Sequence, residues 1–143
     1  MEGKLDRAYN EHIKLVPNKN DWCVLRDADF MMLTPRYEHL MAEMVSRHPE
    51  ISLWTCYTNR VNCKRQIISE MFDEPSMYEH RKKALELYET KKYDMKIIPR
   101  VISGYFMMFQ KKTWEQVGGF RGDKFFGIDT NFSSDILKAG MRI

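Results

Sequence analysis

Residues 22–33 read Trp22-Cys23-Val24-Leu25-Arg26-Asp27-Ala28-Asp29-Phe30-Met31-Met32-Leu33, or WCVLRDADFMML. An apolar run, Trp22 to Leu25, ends in charge, and two carboxylates follow one residue apart. The turn cluster Pro17-Asn18-Lys19-Asn20-Asp21 stands in front of it. A short apolar run bounded by turn residues predicts a buried strand over 22–26. In an extended segment the side chains at i and i+2 point the same way, so Asp27 and Asp29 are expected to face one site.

Outward from this strand, helices and strands alternate. Leu5, Ala8, Tyr9, Ile13 and Val16 recur at helical spacing, which predicts an amphipathic helix over 4–16. Thr34-Pro35 has the form of a helix start, and the stripe Tyr37, Leu40, Met41, Met44, Val45 carries that helix to His48-Pro49. A second strand is expected over Ile51–Cys56. Residues 57–75 have weak periodicity and read as a loop. Ser76 and Glu79 form a capping box, opening a helix to about Lys92 with Met77, Arg81, Ala84, Leu85 and Tyr88 turned inward.

A third strand is expected over Val101–Gln110. Thr113 and Gln116 make another box, for a short helix that stops at Gly118-Gly119. Phe125 to Asp129 reads as a loop, Thr130 to Ala139 as a helix, and Met141 to Ile143 as the start of a strand. The order helix, strand, helix, strand, helix, strand, helix, helix predicts one α/β domain over 1–143, a mainly parallel sheet with helices packed on it.

Composition limits the function. The chain has 143 residues, 43% apolar and 30% charged, enough for one core. A net charge of +3 argues against a dedicated nucleic-acid binder, and the runs Arg81-Lys82-Lys83, Lys91-Lys92 and Lys111-Lys112 read as solvated helix faces. No window approaches the ~18 apolar residues of a membrane span. Cys23, Cys56 and Cys63 are odd in number and lack CxxC spacing, so a disulfide framework is not expected, and a cytoplasmic protein is. Cys23 reads as a small core residue, and the 11 Met as gap fillers. His12, His39, His48 and His80 show no ligand spacing.

In open α/β sheets, ligands bind beyond the carboxyl ends of strands, where Asp27 and Asp29 lie. Their hard oxygens suit Mg²⁺ or Mn²⁺, held by one or two carboxylates together with substrate phosphates. Two Asp among 20 acidic residues can fall this close by chance, so the pair alone is a weak signal.

The C-terminal third strengthens it. Asp27-Ala28-Asp29 is followed by Ser103-Gly104-Tyr105, then Thr113-Trp114-Glu115-Gln116-Val117-Gly118-Gly119-Phe120, then Phe126-Gly127-Ile128-Asp129, then Lys138-Ala139-Gly140-Met141-Arg142-Ile143. In order and spacing these pieces resemble a family 2 glycosyltransferase of the GT-A fold, over residues 20–56 and 97–143. The resemblance implies a truncated, Rossmann-like GT-A half-domain without the family's N-terminal nucleotide-binding elements. Its sheet would have an exposed edge, which a homodimer would cover.

The resemblance also implies an activity: metal-dependent, inverting transfer of a sugar from a nucleotide donor, UDP- or GDP-linked, to a hydroxyl of a carbohydrate or lipid-linked acceptor. Asp29 then resembles the metal ligand, and Asp27 its partner, which contacts the donor ribose or the metal. Gly104 resembles the point where backbone approaches the donor sugar. Trp114 and Phe120 resemble packing or acceptor-side residues. Asp129 resembles the general base, although the family's neighbouring Glu is Ile128 here.

Two other readings remain at this stage. One is a catalytically inactive remnant acting as a binding module. The other is a HAD-like phosphotransferase, whose pattern wants Thr or Val where this chain has Met31 and which does not explain the later motifs.

Overall fold

A computed structural model describes residues 5–122 and 127–143. The order of elements is as expected: α1 (Leu5–Lys14), β1 (Trp22–Arg26), α2 (Tyr37–Arg47), β2 (Leu53–Trp54), α3 (Met77–Lys91), β3 (Phe106–Gln110), α4 (Lys111–Gln116) and α5 (Ile128–Lys138). The loop over 57–75 contains two single-turn 3₁₀ helices, Lys64–Gln66 and Ser69–Met71.

The sheet corrects the sequence reading. It is antiparallel, in the order β1-β3-β2, and not the mainly parallel sheet of a Rossmann-like half-domain. β1 and β2 run the same way and are joined through α2, as in a parallel crossover. They are not neighbours, because β3 enters between them and runs against both, pairing Cys23 and Leu53 with Phe109 from either side. The reason the sequence misleads is physical. A strand covered on both faces reads as an unbroken apolar run whichever way its partners point.

Both faces of β3 are covered, and Phe106 to Phe109 are all buried. Side chains alternate across a strand, so Met107 and Phe109 join one cluster and Phe106 and Met108 the other. The first cluster packs against α1, α4 and α5 through Ile13, Trp114, Phe132 and Ile136. Phe109, Phe120 and Phe132 meet there with ring centroids 4.2–5.8 Å apart. The second cluster receives Met41 and Val45 of α2, with Phe30 and Tyr105. Burying each such side chain is worth roughly 1.5–3 kcal/mol. Cys23 is a core residue, and all three cysteines are free thiols.

Several boundaries move for local reasons. α2 opens at Tyr37, behind Arg36 in the left-handed region (φ 49°), rather than at Thr34. α4 begins two residues before Thr113, because Asp21 O and Lys19 O in the α1–β1 loop accept the N–H groups of Lys111 and Lys112. Thr113 is therefore buried inside the helix instead of capping it. Ser76 does cap α3, accepting from Glu79 N at 3.4 Å. α3 has no buried residue, and Met77 and Leu85, expected inside, are exposed. The third strand is short: Val101 to Tyr105 are irregular and only 106–110 pair. Arg142 makes an isolated parallel bridge with Ile51. No helix among the described residues is long and apolar enough to cross a membrane.

Candidate functional site

The β1–β3 ladder ends at Arg26 and Phe106, and one more hydrogen bond, Asp27 N to Tyr105 O at 2.9 Å, ties the acidic turn to the 103–105 loop. The chain turns at Ala28-Asp29, with Phe30 N donating to Asp27 O at 3.2 Å. The extended geometry expected for Asp27 and Asp29 is thus replaced by a turn, and both side chains are exposed at its surface. Behind the turn, Phe30 anchors it, its ring 5.4 Å from Tyr105 and 5.6 Å from Phe106.

Asp129 reaches the same place from the far end of the chain. Gly127, with φ 96°, precedes α5 and allows the helix to begin at Ile128, so Asp129 lies in its first turn. Asp129 Oδ2 accepts from Gly104 N at 2.7 Å and its Oδ1 from Thr130 N at 2.8 Å. Gly104 is required by this approach, since a Cβ at that position would stand 2.4 Å from Asp129 Cβ. The close approach that Gly104 permits is thus to Asp129. Ile128, where the resembled family has Glu, is a core residue. Phe125 and Phe126 lie outside the described residues.

The carboxylates feel one another. Partial burial, then the charges of Asp29 and Asp129, push the Asp27 carboxyl above its usual range. Tyr9 of α1 belongs to the same neighbourhood: burial, then Asp27 and Asp129, push its phenol up. The structure therefore brings together Asp27, Asp29, Asp129 and Gly104, which are scattered over about a hundred residues of sequence. Trp114 and Phe120 are placed elsewhere, in the core, at 9% and 3% exposure. Of their two expected roles, packing is the one their surroundings match.

Two residues that sequence reasoning did not single out hold this end of the molecule. Gln66, buried in the loop, accepts from Ser103 N at 2.8 Å and donates to Ser103 O at 3.0 Å and Thr55 Oγ1 at 2.7 Å. Ser133 Oγ accepts from Ile102 N on the other side. The 102–105 segment is thus clamped without regular structure. Asn10 of α1 does the same for the Gly118-Gly119-Phe120 turn. Its Oδ1 accepts from Trp114 Nε1 at 2.9 Å and Phe120 N at 2.8 Å, and its Nδ2 donates to Phe120 O at 2.7 Å.

A divalent cation fits this donor set in part. Asp27 and Asp29 offer hard oxygens in a cluster of like charge that a cation would relieve, the pattern in which one or two carboxylates act with substrate phosphates. A complete protein cage is not formed: among the described residues no three His, Cys, Asp or Glu side chains are grouped closely enough to hold a metal ion.

Beside the acidic turn lies a cleft of about 570 Å³ between α3, the sheet and the 55–71 loop, with Asp29 and Phe30 in its wall. Tyr105 closes the loop behind it by donating its hydroxyl to Cys56 O. Burial raises the Cys56 thiol to about 12, so it is not a nucleophile near neutrality.

The chain matches no protein-family model, no curated protein and no solved structure.

Proposed function

We propose that this protein binds a nucleotide sugar through a divalent cation, Mn²⁺ or Mg²⁺, at Asp27 and Asp29 and transfers the sugar to an acceptor hydroxyl. The observation that carries this reading is the convergence of Asp27, Asp29 and Asp129 at the end of β1. A cation held there would neutralise charge on the departing diphosphate. Asp29, in the wall of the cleft, faces the space where a substrate would lie. Asp129, in the first turn of α5, is the carboxylate that would act as general base.

A second reading is favoured by a specific observation. Both carboxylate oxygens of Asp129 are already engaged by backbone donors, Gly104 N and Thr130 N. That is the behaviour of a structural anchor, and it supports a module that binds without catalysing.

The deciding experiment is calorimetric binding of UDP, GDP and their sugars, with and without Mn²⁺, to the native chain and to Asp29→Ala. Metal-dependent binding that disappears in the variant is the expected result. Absence of binding by well-folded protein would remove the transferase reading. Binding with no turnover, unchanged by Asp129→Asn, would select the second reading.

A further inference from the structure

The cleft beside Asp29 has a composition that the carboxylate chemistry does not use. Its volume, about 570 Å³, is that of a small-molecule site. Six of the eleven methionines line it: Met31, Met32, Met44, Met71, Met77 and Met95. Leu53 and Ile98 complete an apolar floor. Thioether side chains are flexible and polarisable and adapt to ligands of variable shape. Met44 and Met71 are buried, as gap filling requires, whereas Met31, Met32, Met77 and Met95 remain partly or largely exposed where they border the cleft.

The rim has the opposite character. Arg65, Lys83, Lys91, Lys92 and Lys96 stand around the cleft, against only Asp29 and Asp94. Lys83 is neutralised by Glu70 at 2.5 Å and Glu86 at 2.8 Å. The other four cations make no ion pair among the described residues. An apolar, adaptable interior under a cationic rim is complementary to one kind of ligand.

We propose that the cleft binds a single-chain anionic amphiphile, its alkyl chain on the methionine floor and its phosphate or carboxylate head against the lysines and Arg65. The charge complementarity selects the anion, and the apolar floor excludes a bare anion as the preferred occupant. This site does not depend on sugar transfer and needs no metal.

Dodecyl phosphate below its micelle concentration is the probe, titrated in EDTA with no nucleotide present. Trp54 lines the cleft and reports by fluorescence, and calorimetry gives the stoichiometry. Saturable one-to-one binding is expected, with the fluorescence change lost in Trp54→Phe. Arg65→Glu with Lys96→Glu, both exposed, is expected to weaken binding at least about tenfold. Ala84→Phe, which fills the cleft from α3, is expected to do the same at unchanged helix content.

Dodecyl maltoside, equal in chain and neutral in head, is expected to bind at least about tenfold more weakly. Equal affinity for the two would overturn the anionic assignment. Equal affinity for inorganic phosphate would overturn the apolar one. Unsaturable binding, or binding unaffected by either set of substitutions, would overturn the site. Nucleotide binding at Asp27 and Asp29 is read separately, in Mn²⁺ and without amphiphile, because Asp29 borders the same cleft.

Discussion

Gly104 N–H donates to Asp129 Oδ2 at 2.7 Å across 25 residues of sequence, and no side chain larger than hydrogen fits at Gly104 while that bond is made. The bond joins the loop beside Asp27 to the first turn of α5. It makes the acidic site a property of the tertiary fold and not of one strand end.

Gly104→Ala therefore tests whether the site is built as a unit. The new Cβ would overlap Asp129 Cβ at 2.4 Å, so either α5 shifts or the bond breaks. Overpacking of this kind costs about 1–3 kcal/mol. The expected result is a lower denaturant midpoint, with loss of any Mn²⁺-dependent nucleotide binding. Full stability in the variant would show that α5 moves freely relative to the loop.

Asp27→Asn should separate stability from function. The Asp27 carboxyl titrates above its usual range because of burial first, then Asp29 and Asp129. The folded chain thus holds this proton more tightly than the unfolded chain does. The stability this provides is fully present below the ordinary carboxyl value of 3.8 and is lost as pH rises through the raised value. At pH 7 without metal, Asn relieves the repulsion, so the variant should melt higher than the native chain. At pH 3 the advantage should vanish. Mn²⁺ should stabilise the native chain alone. Identical melting of both chains at pH 7 in EDTA would show that the carboxylates do not interact.

Asn10→Ala should loosen the Gly118-Gly119-Phe120 turn, where Asn10 makes no hydrogen bond to the carboxylates. It removes three hydrogen bonds and leaves the Trp114 indole and the Phe120 backbone unsatisfied. A loss on the order of 2 kcal/mol is expected, read from chemical denaturation. Nucleotide affinity of the folded fraction should be retained. Loss of affinity at unchanged stability would place Asn10 in the site.

Much of the fold was legible because it is written in local pattern. The stripe Leu5, Tyr9, Ile13 and the run Trp22 to Leu25 announce α1 and β1, and Ser76 announces the start of α3. The direction of pairing was not legible, because Phe106 to Phe109 would be equally apolar in either orientation once both faces are covered. Asp27, Asp29, Asp129 and Gly104 each belong to a motif, and the structure places them near one another. Gln66 and Asn10 belong to none. The partners of Gln66 lie 11 and 37 residues away and those of Asn10 104 and 110, so their roles exist only after the chain has folded.

Gln66→Leu is the sharpest test of that last point. The side chain is 1% exposed and matches Leu roughly in size, so the substitution removes hydrogen bonds with little change in volume. Ser103 N and O lose their partner, and so does the Thr55 hydroxyl. Leaving such groups unpaired costs about 2–3 kcal/mol in all. The 103–105 loop would keep its ties through Ile102 to Ser133 and Gly104 to Asp129, so the chain should fold. Amide exchange is the measurement. Gly104 and Asp27, whose N–H groups are bonded at the site, should lose protection, while Phe109 in the centre of the sheet keeps it. Equal loss at all three would mean that Gln66 supports the whole domain and not the loop that presents the carboxylates.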